Sequence, residues 1–513
     1  MLFNSYAFIF LFLPITVVGY YLIANKSHYG AIFWLALASF FFYGYWSLYS
    51  LPILSGSVCL NYWLGKKIAN LELKNRQPVL VAAIIFNLAC LGYFKYANFF
   101  VSNTNALRSL MDLAPINALN VVLPIGISFF TFTQIAFLID SYQKKVNEQN
   151  FLKYILFVTF FPHLIAGPVI HHKQMMPQFS DINIFSFNAQ KFFFGITIFV
   201  VGLAKKILLA DPLGGYADAL FNGVSFGNQP QIMESWLGTL AYSFQLYFDF
   251  SGYSDMAVGL SLFFGIWLPF NFNSPFKATS IIDFWQRWHI SLTKYIGEYL
   301  YTPITLKFMR LAQDKPKILE ILYSLILPTC LIFLILGFWH GANWTYVVFG
   351  GMHGLYIVIN HLWRKMYPIA NKKAMKKSAY RVVKKISGWL LTFLAVNFSF
   401  VMFRSASISA AFVIYKSMLG IDGFPIQESS SALELLQELL MEIRLNAGLI
   451  GLIVIGVLIV TLLPSSSELI FNKNSKKITV LINSYIGAIF LSALFVMSVM
   501  QLSKNSSFLY FQF

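Results

Sequence analysis

The sequence predicts an all-α membrane protein with about ten to thirteen spanning helices, and three observations predict it. Of the 513 residues, 58% are hydrophobic and only 11% charged, against roughly a quarter charged in an average soluble domain. Apolar stretches long enough for a hydrocarbon core of about 30 Å, which takes about 20 residues of helix, recur from one end of the chain to the other. The basic residues sit in short segments between those stretches.

The apolar stretches run over 6–24, 30–62, 78–100, 119–139, 151–170, 190–210, 235–268, 319–338, 342–363, 387–403, 446–463 and 478–500. The 30–62 and 235–268 stretches each have length for one or two helices, and 119–139 is interrupted by Pro124 and Gly126. The first stretch has neither a basic n-region nor a small-residue cleavage site, so it reads as a retained helix rather than a signal peptide.

The formal net charge of +17 fits positive-inside loops better than nucleic-acid binding. The segment 364–385 carries Arg364, Lys365, Lys372, Lys373, Lys376, Lys377, Arg381, Lys384 and Lys385 without an acidic residue and is expected in the cytoplasm. The next connection, 404–445, carries Asp422, Glu428, Glu434, Glu438 and Glu442 and is expected on the opposite side. Further cytoplasmic loops are marked by Lys66, Lys67, Lys74 and Arg76, by Lys144, Lys145 and Lys153, by Lys307, Arg310, Lys315 and Lys317, and by Lys473, Lys476 and Lys477. Within the acidic connection, Leu435, Leu436, Leu439, Leu440 and Ile443 lie beside glutamates four apart, the pattern of an amphipathic helix resting on lipid or meeting a partner.

Cys59, Cys90 and Cys330 all fall inside apolar stretches without metal-ligand spacing and imply neither disulfides nor zinc. There is no glycine-rich phosphate loop, no HExxH and no GxSxG elbow. With no internal repeat and no linker, 1–513 reads as a single membrane domain. Its central stretch 119–363 holds nearly all the unusual polar residues, and a C-terminal group of helices follows over 387–513.

Ionisable groups inside spanning segments are expensive, so each is a functional candidate. FDFSGYSDMA at 248–257 places Asp249, Ser251, Tyr253, Ser254 and Asp255 in apolar surroundings, and its Gly and Ser suggest a bent or broken helix. LPFNFNSPF at 268–276 leads into SIIDFWQRWHISLTKYIGEYLYTP at 280–303. There Asp283 and Arg287, four apart, form either a structural ion pair or part of a donor-binding site. His289 is either a packed core histidine or a ligand for the donor. In LGFWHGANWTYVVFGGMHGLY at 336–356, His340 lies between two apolar runs, flanked by Trp339 and Gly341 with Asn343 and Trp344 beyond. Glycine at such a bend lets backbone and substrate approach closely. An imidazole, with an unperturbed pKa of about 6.5, can take a proton from a hydroxyl and return it near neutral pH.

These motifs together, FDFSGYSDMA, FWQRWHISL with EYLYTP, and GFWHGANW with GGMHG, resemble the membrane-bound O-acyltransferase family, and most closely its bacterial branch of alginate, peptidoglycan and cellulose acetylation proteins. MLFNSYAFIFLFLP at the start, GISFFTFTQIAFLID at 126–140, FFPHLIAGPVI at 160–170 and NFSFVMFRS at 397–405 fit the same branch, so the resemblance covers nearly the whole chain. It implies many helices around a central tunnel, with the catalytic histidine of the WHG motif at His340 and the family's second histidine at His289. It also implies acetyl-CoA or a related thioester as the cytoplasmic donor and no metal. The acyl group would pass outward to a separate periplasmic or membrane-anchored SGNH/GDSL-type partner and then to an extracytoplasmic polysaccharide, with the chain in a bacterial inner membrane. Asp283, Arg287, Trp339, Asn343 and Asp255 are the accompanying candidates for binding the donor. Two other readings remain: D-alanyl transfer to teichoic acid, and a transporter whose broken helices carry a substrate unaltered.

Overall fold

The computed structural model describes residues 1–146, 148–367, 378–421, 441, 443–471, 484–502 and 508–509. Among these residues there is helix and no strand. Backbone groups in lipid must be satisfied within their own segment, and an α-helix does so. Among the described residues five helices are long and apolar enough to cross a membrane: Ala7–Ala24, Lys74–Ser109, Ala189–Ser225, Lys317–His340 and Val382–Arg404. Shorter apolar helices occupy Ile408–Met418, Ala447–Leu462 and Tyr485–Met500. Most of the basic segment after 367 and most of the acidic connection, including all of its amphipathic stripe but Ile443, lie outside the described residues, as do Lys473, Lys476 and Lys477.

The 30–62 stretch resolves into two helices, His28–Trp46 and Leu51–Asn70, the first opened by Ser27, whose side chain accepts from the Gly30 N–H. The stretch at 119–139 is helical only from Ile127. Gly126 precedes it with φ +71°, and a Cβ there would lie 3.0 Å from the Leu164 carbonyl oxygen, so both backbone and space require glycine. The break suggested for FDFSGYSDMA is corrected: Ile232–Leu262 is one continuous helix of 31 residues. Its glycines serve close packing. A Cβ on Gly202 would lie 2.6 Å from the Gly252 carbonyl oxygen, and one on Gly259 2.6 Å from that of Gly195. The Ala189–Ala204 helix therefore lies backbone to backbone against the 252–262 portion, as small residues allow in membranes.

Two compact units divide the chain. The first comprises Met1–Ala204, Gly252–Phe270 and Leu481–Phe513, and the second Lys205–Ser251 and Asn271–Val480. The first has an aromatic core in which Phe8, Phe12, Phe42 and Phe161 are mutually in contact at centroid distances of 5.3 to 6.2 Å. In the second, the Leu327–His340 and Trp344–Met366 helices form a hairpin packed through glycine. A Cβ on Gly337 would meet the Tyr346 carbonyl oxygen at 2.2 Å, and one on Gly350 the Phe333 carbonyl oxygen at 2.1 Å.

Candidate functional site around His340

His340 is the last residue of the Leu327–His340 helix. Gly341 then adopts an extended conformation and the next helix begins at Trp344, capped by Asn343, whose side chain accepts from the Thr345 N–H. The bend expected beside His340 is thus present. It is set by packing as well as by the cap, since a Cβ on Gly341 would lie 2.1 Å from the Tyr346 ring. The His340 imidazole is buried, with Trp339 at 4.9 Å, Phe403 at 5.2 Å edge-on and Phe349 at 6.1 Å edge-on. Aromatic walls of this kind exclude water from the imidazole.

His289 occupies a corner between the Ile281–Arg287 and Ile290–Ile296 helices in the left-handed conformation (φ 45°, ψ 52°). A non-glycine residue held there costs on the order of 1–3 kcal/mol and needs surrounding structure to fix it. The restraint comes from the 271–273 strap. The Ile290 N–H donates to the Asn271 carbonyl, the Ser291 N–H and hydroxyl both donate to Asn271 Oδ1, and the Asn273 N–H donates to the Arg287 carbonyl. The NFN of LPFNFNSPF, to which sequence reasoning gave no role, is what builds this corner. The His289 ring is almost fully buried, edge-on to Phe250 at 4.8 Å. From Phe250 a chain of aromatic contacts passes through Phe272, Trp288, Phe400 and Phe349 to His340.

Arg287 Nε donates to Asp283 Oδ1 at 2.7 Å, and the pair is only partly buried. The other Asp283 oxygen accepts from the Thr279 N–H, and Arg287 Nη1 donates to the Asn273 carbonyl. Both side chains are therefore engaged in shaping the 273–289 segment that carries His289. Asn343, besides its cap, donates to the Ala406 carbonyl at 3.0 Å. Asp255 is buried and belongs to the first unit, whereas the other candidates belong to the second. Among the described residues no group of three or more His, Cys, Asp or Glu has the arrangement to hold a metal.

His353 illustrates the structural alternative. Its Nδ1 accepts from Trp285 Nε1 at 3.2 Å, and its Nε2 lies 2.8 Å from Ser399 Oγ. The Ser399 hydroxyl itself donates to the Val396 carbonyl, so the imidazole proton resides on Nε2 and the ring is neutral and satisfied.

Several polar groups were invisible to sequence reasoning. Lys206, in a π-helical segment, bridges Asp249 at 2.7 Å and Asp211 at 2.8 Å in a buried cluster. Arg404, read only as part of NFSFVMFRS, pairs with Asp218 and lies over the Phe221 ring. Tyr242, fully buried on the Ile232–Leu262 helix, packs on Phe221 and Phe400. The one available signal was spacing: Tyr242, Gln245 and Asp249 recur at helical intervals on one face.

Residues 39–403 match the model of the membrane-bound O-acyltransferase family. A peptidoglycan O-acetyltransferase of Helicobacter pylori is 40% identical over 82% of this chain and 80% of its own length. A probable alginate O-acetylase of Pseudomonas aeruginosa is 37% identical over 84% of this chain and 77% of its own. A teichoic acid D-alanyltransferase of Streptococcus thermophilus is 27% identical over 54% and 68%.

Proposed function

The chain belongs to the membrane-bound O-acyltransferase family, and from that premise we propose that it takes an acetyl group from acetyl-CoA at the cytoplasmic face of a bacterial inner membrane and passes it outward for O-acetylation of an extracytoplasmic polysaccharide. It is an O-acyltransferase of the polysaccharide-acetylating kind. The observation that carries the finer reading is His340: a buried imidazole at a helix end, walled by Trp339, Phe349 and Phe403 and followed by a glycine bend.

A thioester is already activated, so the protein has to align the reactants, supply a base and exclude water. His340 acts as that base. It takes the proton of the accepting hydroxyl as its oxygen attacks the acyl carbon, and returns it to the departing sulfur. His289 orients the donor, its rigid corner being held by Asn271 and by the Asp283–Arg287 pair. Trp339 packs beside the imidazole, and Asn343 is a further candidate for the donor's polar groups. A separate periplasmic or membrane-anchored esterase-type partner receives the acetyl group and delivers it to the polymer.

Acetyl transfer is favoured over D-alanyl transfer because the O-acetylating relatives match at 37% and 40% identity over more than four-fifths of the chain, while the D-alanyltransferase matches at 27% over about half. The test is transfer from radiolabelled acetyl-CoA in native membranes containing this protein or its His340→Ala variant, with label followed into the protein, the partner and envelope polysaccharide. Label that disappears in the variant, with insertion intact, is expected; full turnover by His340→Ala would overturn the assignment.

A further inference from the structure

Between the Thr302–Ala312 helix and the start of the Lys317–His340 span lies a cavity of about 380 Å³ that the chemistry around His340 does not use. Its lining carries two cations, Arg310 and Lys315, and two anions, Asp314 and Glu320. Two charges of each sign face one space, yet among the described residues none of the four has an ion-pair partner. Lys315 is set instead over the Tyr323 ring, 5.7 Å from its centroid, a contact that holds the ammonium in place without neutralising it. Asp314 occupies the turn between the two helices in the left-handed conformation (φ 60°), which aspartate tolerates better than most residues. Leu306 and Met309, one turn apart on the first helix, complete the lining and are half exposed.

The surroundings of the cavity indicate what it meets. A helix of 11 residues is too short to cross a hydrocarbon core. With Lys307 and Arg310 beside Leu306 and Met309 it is amphipathic, as helices lying in a membrane interface are. The next helix opens a membrane span at Lys317. The cavity therefore lies at the level of lipid headgroups, on the side that Lys307, Arg310, Lys315 and Lys317 mark as cytoplasmic.

We propose that this cavity binds the headgroup of a zwitterionic aminophospholipid, of the phosphatidylethanolamine class, from the cytoplasmic leaflet. Arg310 and Lys315 take the phosphate, the primary ammonium donates to the Asp314 and Glu320 carboxylates, and an acyl chain runs over Leu306 and Met309. Charges of both signs that cancel in sum and stay apart are complementary to a headgroup that is itself a separated pair. A polyanion such as a nucleotide would meet the two carboxylates. A quaternary ammonium has no N–H to give them, so it forgoes the charge-assisted hydrogen bonds. The site stands independently of the reading of His340, although the span it borders carries His340 at its other end.

The test uses the purified full chain in detergent, stripped of lipid, with native mass spectrometry against dioleoyl phosphatidylethanolamine, phosphatidylcholine and phosphatidylglycerol. The wild type is expected to retain phosphatidylethanolamine about fivefold better than either of the others, and to unfold at a higher temperature with it. Glu320→Gln and Asp314→Asn are expected to erase the advantage over phosphatidylcholine, and Arg310→Gln to weaken retention of both about threefold or more. Because these side chains are unpaired in the fold, the lipid-free variants are expected to unfold at the wild-type temperature. Equal retention of the three lipids by the wild type would overturn the proposal, as would variants that bind like the wild type. A preference for phosphatidylglycerol would overturn it too, by making the cavity an anion site. Glycerophosphoethanolamine, the headgroup without its chains, is expected to leave the unfolding temperature unchanged at the same concentration; an equal rise would assign the cavity to a soluble ligand and not to a lipid.

Discussion

Three histidines of the second unit sit in apolar surroundings, and their neighbours separate their duties. His353 is saturated by Trp285 on one nitrogen and Ser399 on the other, which leaves it nothing to offer a substrate. Ser399→Ala removes the acceptor of its Nε2–H and is expected to cost about 1–3 kcal/mol of stability, read as a lower unfolding temperature in detergent, while turnover per folded molecule stays at the wild-type level. A large loss of turnover at unchanged stability would move His353 into the chemistry. Around His340 the ring neighbours are Trp339, Phe349 and Phe403. His289 differs again, because its backbone is the constrained part and Asn271 is its clamp.

At the scale of elements, the glycines decide where helices touch. The hairpin of Leu327–His340 and Trp344–Met366 closes on Gly337 and Gly350, and His340 lies at the tip of the first helix, one turn beyond Gly337. Any separation of the two helices therefore displaces the imidazole. Gly350→Ala places a methyl group 2.1 Å from the Phe333 carbonyl oxygen, a backbone clash no rotamer can relieve, and is expected to destabilise by about 1–3 kcal/mol or more. Turnover should fall with it, whereas Gly351→Ala, where only the flexible Leu334 side chain approaches at 3.5 Å, should be tolerated. Comparing unfolding temperature and acetyl transfer for the two variants checks this. The continuity of Ile232–Leu262 makes the same point from the other side. FDFSGYSDMA looked like a break because glycine and serine are poor helix formers, yet Gly252 is there to receive the neighbouring helix at Gly202.

For the whole molecule, charge sets orientation. The Leu73–Ser109 helix has 37 residues, about 55 Å at 1.5 Å per residue, well beyond a hydrocarbon core of about 30 Å. Its start lies beside Lys66, Lys67 and Lys74 and its end leads into the exposed 110–119 segment, which is held to the helix by Asn98 and Asn105 bonding to Leu119 and Ile116. With the native cysteines replaced, Asn75→Cys should react with a membrane-impermeant maleimide only after permeabilisation and Leu113→Cys should react in intact spheroplasts; the reverse pattern would invert the topology.

The sequence by itself determined the class of this protein and its membrane setting, and it singled out His340 and His289 as candidates. Hydropathy, loop charge and short ordered motifs are local properties, readable without knowing what packs on what. It also located the bend after His340, since Gly341 and the Asn343 cap are adjacent to it in the chain. What only the tertiary structure decided are relations between distant positions. Asn271 clamps His289 from eighteen residues upstream, Arg404 meets Asp218, Lys206 gathers Asp211 and Asp249, and Tyr242 carries its hydroxyl among rings drawn from several helices. A buried polar group is defined by partners it has or lacks in three dimensions, and in a chain this apolar a tyrosine within a run of aromatics gives no linear signal of which kind it is.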